Sequence, residues 1–334
     1  MYLCYLEYSL LTNNAMILSV LLFIVGLALI LWGANLLTDG ASALARRFHI
    51  SELVIGLTIV ALGTSLPELV ISLGSALEGS PGISLGNIIG SNIFNALFIL
   101  GVTALICPVT FSAKMLSREI PFNLLSAIVL ILLAGNMLYA GSGEGEYITR
   151  NGGMILLCFL AIFIRYTISI AKDDSAADEV AEQMGIGKIA LCIVGGLVCL
   201  IGGGKLFVAA ATDMAIAIGL SEAVIGITIV SAGSSLPELA VSVNAARKKS
   251  VGIALGNILG SNILNIFLIL GCTASICPIE LSLFNYVDFY TLIGSAMLIY
   301  LVGKFGGKAT ITRAEGAVLV CCYIAYTVYL VMNN

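Results

Sequence analysis

The chain has 334 residues, 60% of them hydrophobic and 10% charged, with one His and a net charge of -4. A mean hydropathy of +1.10 leaves too little polar side chain to coat a soluble globule, and a pI of about 5.1 excludes a nucleic-acid partner. Nine cysteines without CxxC pairs, a single His and no HExxH exclude zinc and haem centres; the thiols are expected as small buried hydrophobes, and no cofactor is expected.

Residues 1–15 lack the basic region and the small-residue cleavage site of a signal peptide. They read as an N-terminal extension, and the apolar run begins at Met16, an equally good translation start. Ten apolar runs follow, at 16–38, 52–78, 82–107, 119–140, 150–171, 188–212, 222–246, 252–277, 286–303 and 313–332. Most reach the ~20 residues that cross a bilayer as a helix. The reading is an all-α polytopic membrane protein of ten transmembrane helices, with the lipid bilayer as its first partner.

Basic residues fall on alternate connections. Arg46 and Arg47 follow the first run, Lys114 and Arg118 the third, Lys172 and Lys188 the fifth, Arg247, Lys248 and Lys249 the seventh, and Lys304, Lys308 and Arg313 the ninth. The other connections hold Arg150. This bias makes the odd-numbered connections cytoplasmic and puts both termini outside. Lys205, by contrast, lies well inside the sixth run, where it is a candidate counter-charge for buried carboxylates, although its place toward the outer end of the helix makes snorkelling the expected role.

The second run contains GTSLPE at 63–68, a proline and a glutamate near the middle of an apolar span. Pro67 lacks an N–H and clashes with the carbonyl one turn earlier, so the helix around Gly63 loosens. Freed carbonyls at that depth survive where they line an enclosed or hydrated cavity. Glu68 stands one turn from Thr64 and Ser65. On the third run Asn87, Ser91 and Asn95 recur every four residues as a polar stripe, beside a small-residue face of Gly82, Gly86 and Gly90 that suits close helix packing.

A shift of 170 residues overlays the chain on itself. SELVIGLTIV at 51–60 meets SEAVIGITIV at 221–230, and GISLGNIIGSNIFNALFILG at 82–101 shares 14 of 20 positions with GIALGNILGSNILNIFLILG at 252–271. Cys107-Pro108 meets Cys277-Pro278. Thus 16–171 and 188–334 form two five-helix repeats joined by an acidic cytoplasmic connector at 172–187, and five spans per copy invert the second in the membrane. The second copy supplies Ser234, Ser235, Pro237 and Glu238, then Asn257, Ser261 and Asn265.

All these ligands are oxygens, the set that hard cations such as Ca2+ accept, about six to eight at a time. A carboxylate at the bilayer centre costs roughly 2.5–3.5 kcal/mol on an insertion scale, so two of them call for a counter-charge.

G-T/S-S-L-P-E followed by G-N-I-x-G-S-N-I-x-N, present twice, resembles the paired repeats of the calcium/cation antiporter superfamily, most closely the prokaryotic sodium/calcium exchangers. The resemblance implies transported Ca2+ and Na+ exchanged by alternating access, with no catalytic residue and a multi-pass location in the plasma (inner) membrane. It implies Glu68 and Glu238 as central Ca2+ ligands, with Thr64 and Ser234 adding oxygens. It implies Na+ sites from Ser65, Ser91, Ser235, Ser261 and the carbonyls of Ala61 and Ser231, with Asn95 and Asn265 between them. No obligate protein partner follows, and a monomer is expected.

Three positions depart from that pattern. Ser231 and Ser234 stand where Ala and Thr are usual, and Asn265 stands where some relatives carry Asp. A proton-coupled or K+-dependent antiporter is the alternative, although proton-coupled members usually carry N-x-x-E in place of S-L-P-E. A channel with the same ligands stays open, and an intramembrane hydrolase is more remote because no Ser–His or Ser–Lys pair is placed. The connector KDDSAADEVAEQMGIG lacks EF-hand spacing and reads as a solvated linker, His49 as surface, and Asp39, Glu52, Asp213 and Glu222 as residues of helix ends.

Overall fold

A computed structural model describes residues 2–79, 81–134, 147–173, 184–217, 231–281, 286–305 and 309–333. The expected segments 135–140, 174–183 and 222–230, including Glu222, lie outside the described residues. Among those described, eight helices are long and apolar enough to cross a membrane. The pair Glu52–Thr64 and Leu66–Leu77, bent by 47°, makes a ninth if counted as one span. Residues 2–15 continue the first helix, which runs unbroken over Tyr2–Phe48.

Burial sorts these helices into two classes. In the most apolar stretches of Gly82–Ile106 and Val251–Ile276, 78% and 94% of the residues are buried, against 11–39% in the six other unbroken spans. The two glycine-rich spans therefore form the centre, and the others present Leu, Ile and Val to lipid. Lipid-facing positions are as apolar as core ones, which corrects the expectation for the thiols. Of the eight cysteines whose side chains are described, Cys158, Cys321 and Cys322 are exposed, the remaining five are half-buried, and all are free. Arg165 is a second basic residue inside a span, exposed on the Arg150–Asp173 helix.

Glycine sets the closest approaches. Tyr2–Phe48 crosses Ile186–Ala217 so that a Cβ on Gly33 would lie 2.8 Å from the Gly196 carbonyl oxygen, and one on Gly203 would lie 2.8 Å from that of Gly26. Rising numbers on one helix meet falling numbers on the other, so the two run antiparallel. In the centre, Gly56 faces Gly256, where a Cβ would come within 2.9 Å of the opposing Cα. Backbone-to-backbone contact of this kind is how small residues hold helices together in lipid.

Four two-residue strands, absent from the sequence reading, tie the connections. Val109–Thr110 (β1) pairs antiparallel with Thr310–Ile311 (β4), and Tyr147–Ile148 (β2) with Ile279–Glu280 (β3). β1 and β4 follow the third and ninth expected spans, and β2 and β3 follow the fourth and eighth. Connections expected on one face are thus paired with each other. Cys107 and Cys277 end their helices in extended conformation, as a residue before proline should.

At the face carrying Arg46 and Arg47, Ser42 and Ser250 both donate to Glu52 Oε1 (2.9 and 3.1 Å), and Lys248 Nζ lies 2.8 Å from Asp39 Oδ1. His49 is exposed, in the left-handed region (φ 53°) after the Tyr2–Phe48 helix. Asp213 Oδ2 accepts a long bond from Ser19 (3.5 Å).

Candidate cation site

Both SLPE motifs break their helices at the same letter. Ala61–Thr64 ends at Ser65 (φ -82°, ψ 8°), and Leu66–Leu77 restarts with Pro67 in its first turn, where a missing N–H costs nothing. Ser231–Ser234 ends at Ser235 (φ -92°, ψ 10°), and Leu236–Arg247 restarts with Pro237. Each restart puts a glutamate, Glu68 or Glu238, in the first turn of a helix. Here the unpaired N–H groups and the positive end of the helix dipole favour an anion.

The two breaks bond to each other. Ser65 Oγ donates to Glu238 Oε1 at 3.2 Å, and Ser235 Oγ donates to Glu68 Oε1 at 3.1 Å. Both carboxylates are 1% exposed, which excludes bulk water as their partner. Thr64 Oγ1 donates to Asn257 Oδ1 (3.0 Å) and approaches the Ala61 carbonyl (3.3 Å), which also accepts from Ser65 N (3.0 Å). The single Thr64 hydroxyl proton serves one acceptor at a time, so while it bonds Asn257 the Ala61 carbonyl keeps a lone pair beyond its Ser65 N–H bond.

Behind the glutamates the polar stripes hold their positions by reciprocal bonds. Asn87 Nδ2 reaches Ser72 Oγ (3.2 Å) and the Glu68 carbonyl (3.5 Å); Asn257 Nδ2 reaches Ser242 Oγ (3.0 Å) and the Glu238 carbonyl (3.2 Å). Asn95 Nδ2 donates to Asn262 Oδ1 and Asn265 Nδ2 to Asn92 Oδ1, each at 3.0 Å. An amide whose nitrogen is thus occupied turns its oxygen the other way. Asn95 and Asn265 each open a π-helical stretch or lie in its first turn, Phe94–Ile99 and Asn265–Leu270, where the extra residue per turn re-aims side chains.

The oxygens left over form three matched pairs. Glu68 Oε2 and Glu238 Oε2, Ser91 Oγ and Ser261 Oγ, and Asn95 Oδ1 and Asn265 Oδ1 are buried with no hydrogen-bond partner among the described residues. Each pair is separated by the 170-residue repeat. Buried polar atoms without partners are uncommon and costly, each of order 1–3 kcal/mol, and more for a carboxylate. Six oxygens able to accept, on two apolar central helices and the two breaks beside them, are the kind of donor set that a hard cation takes.

The expected side chains Thr64, Ser65, Glu68, Ser91, Asn95, Ser235, Glu238, Ser261 and Asn265 are all buried at 2% or less. Ser234 is 8% exposed. Ser231 begins the helical turn before the second break. The sequence reading missed Asn92, Asn262, Ser72 and Ser242. The signal was present: the two asparagines lie inside GSN at the residue after Ser91 and Ser261, and the two serines lie one turn beyond each glutamate.

The family model described as "Sodium/calcium exchanger protein" matches residues 18–169 and 188–332. Sodium/calcium exchanger MaX1 of Methanosarcina acetivorans is 34% identical, with 93% of this chain and 97% of that protein covered. Inner membrane protein YrbG of Escherichia coli is 33% identical, with 94% and 97% covered. Among solved structures, the sodium-calcium exchanger NCX_Mj soaked without Na+ and Ca2+ superposes with a TM-score of 0.80 at 32% identity, covering 94% of this chain and 99% of that one. The same exchanger soaked with Na+ and Sr2+ gives 0.79, covering 93% and 97%. With nearly its whole length matched by that family model and by relatives above 30% identity, the chain belongs to the sodium/calcium exchanger protein family.

Proposed function

We propose that the chain exchanges Ca2+ for Na+ across the plasma membrane by alternating access, at a site near the bilayer midplane centred on Glu68 and Glu238. The observation that carries this reading is the set of three matched pairs of donor-less buried oxygens between the two repeats. Glu68 and Glu238 are the central Ca2+ ligands, supported by Thr64 and Ser234. Ser65, Ser91, Ser235, Ser261 and the carbonyls of Ala61 and Ser231 serve flanking Na+ ions, with Asn95 and Asn265 between them. Two carboxylates balance one Ca2+ or two Na+, so the ions compete for overlapping oxygens.

The topology that goes with this function is ten spans in two inverted halves, 16–171 and 188–334, with both termini outside, the 172–187 connector cytoplasmic, and the exchanger a monomer. It is supported by the antiparallel crossing of Tyr2–Phe48 with Ile186–Ala217 and by strand pairs that join only connections of one expected face. The test is radiolabelled Ca2+ uptake into proteoliposomes under an imposed Na+, K+ or H+ gradient. Uptake should follow the Na+ gradient and persist when the pH gradient is collapsed. Uptake that follows the H+ gradient instead would assign the proton-coupled reading.

A further inference from the structure

The two halves differ in how far a cavity reaches toward the oxygens. A cavity of about 510 Å3 lies between the Ile186–Ala217 helix and the two helix breaks, lined by Leu66, Pro67, Lys205, Val208, Ser234 and Pro237 among others. Its counterpart under the 170-residue shift, about 380 Å3, is lined by Leu31, Ala34, Asn35, Leu236, Ala240 and Asn244 among others, and includes neither Thr64 nor Pro67. Asn244 bonds the Ala34 carbonyl and Thr38 Oγ1 (3.1 and 3.0 Å) across that second space. Ser234 is correspondingly 8% exposed where Thr64 is 0%. The larger cavity is thus the one that touches the oxygen cluster.

Lys205 is the charged side chain on that larger wall, and its repeat counterpart is the neutral Asn35. Among the described residues no acid lines this cavity and Lys205 has no ion pair. Lys205 is exposed on that wall, so solvent screens part of its charge, and the apolar walls focus the field that remains toward Ser234.

We propose that Lys205 is a specificity-determining residue for the exchange reaction. Its fixed positive charge sits on the approach to Ser234 and penalises Ca2+ more than Na+ for ions entering from that face. This rests on the exchange reading above. The penalty scales with ion charge, so a factor f in affinity for a monovalent ion becomes f squared for a divalent one. The counterpart cavity carries Arg247 in its lining but does not reach Thr64 or Pro67, so only the Lys205 wall is shared with a residue of the oxygen cluster, which makes the two faces unequal in apparent affinity.

The experiment is a charge series, Lys205→Arg, Lys205→Met, Lys205→Gln and Lys205→Glu, in proteoliposomes of defined orientation, reading half-saturating Na+ and Ca2+ on each face. Neutral variants should lower half-saturation by about threefold for Na+ and about ninefold for Ca2+ on the Lys205 face alone. K205R should match wild type, and K205E should shift further in the same direction. Equal shifts in K205R and K205M, equal factors for the two ions, or flat values across the series would overturn the proposal. K205Q, polar and uncharged, stands in if K205M misfolds. If wild type shows no Na+-driven uptake, the exchange reading fails by itself, and Ca2+ binding to the solubilised variants still decides whether the charge at 205 matters.

Discussion

Ser65 donates to the carboxylate of Glu238 at 3.2 Å, although the two lie 173 residues apart in the chain. The bond spends one oxygen of the glutamate on positioning and leaves Oε2 free of donors. Because Ser235 does the same for Glu68, neither half holds a complete site. The glutamate of each repeat is aimed by the serine of the other.

Replacing either glutamate by Gln should remove exchange while leaving the protein inserted and folded. Glu68→Gln or Glu238→Gln keeps the Ser bond but deletes the charge a dehydrated divalent ion needs, and Na+-driven Ca2+ uptake should fall by at least about 100-fold. Gel-filtration profile and thermal midpoint should stay close to wild type. Uptake surviving the double Gln variant would show that the ion is held elsewhere.

The asparagine pairs make a more selective prediction. Asn262→Gln keeps a neutral amide oxygen to offer Asn95 Nδ2, whereas Asn262→Leu removes it and strands a buried donor, a loss of about 1–3 kcal/mol. Thermal melting in detergent should therefore separate the two variants, with N262L the less stable. Half-saturating Ca2+ should rise in N262L, because Asn95 is no longer held with its oxygen forward.

Asn265→Asp adds a negative charge beside Glu68 and Glu238 without changing size. Extra charge in a buried oxygen site recruits extra cations, so the Na+ dependence of uptake should steepen and the reversal potential of exchange should move. Recording both in proteoliposomes checks whether Asn265 sets the coupling ratio. Identical ratios for N265D and wild type would remove it from that role.

Glycine substitutions test the antiparallel seam. Gly33→Leu would drive a side chain into the Gly196 carbonyl and should cost about 1–3 kcal/mol or abolish the fold. Gly195→Ala, one residue from the seam and with nothing within 4 Å of a new Cβ, should be neutral or slightly stabilising. A thermal shift that is the same for both variants would argue against close packing there.

Much of this molecule is legible from its letters because lipid simplifies the code. Apolar length marks spans, and a proline before a glutamate at mid-depth marks a break that something polar must use. The repeat then doubles every inference, so Glu68 and Glu238 were found together. The cross-repeat bonds were not legible, since no periodicity on one helix says that Asn95 faces Asn262 on another. The π-helical stretches were hidden for a related reason: the stripe Asn87, Ser91, Asn95 assumes a regular turn, and the turn widens at Phe94–Ile99. The buried-thiol expectation failed because it carried a rule for water-soluble proteins into lipid.

The reciprocity of the Ser65–Glu238 and Ser235–Glu68 bonds is that of a two-fold interface, in which one contact is written twice. A single five-helix unit inserted in both orientations could build the same set of contacts from two identical chains. Such a dimer could never place Thr at one copy of a position and Ser at the other, or Lys at one wall and Asn at its mate. Joining the copies in one polypeptide is what lets Thr64 and Ser234, or Asn35 and Lys205, diverge. The covalent link thus gives the transporter a handedness between its two sides that a symmetric assembly is forbidden to have.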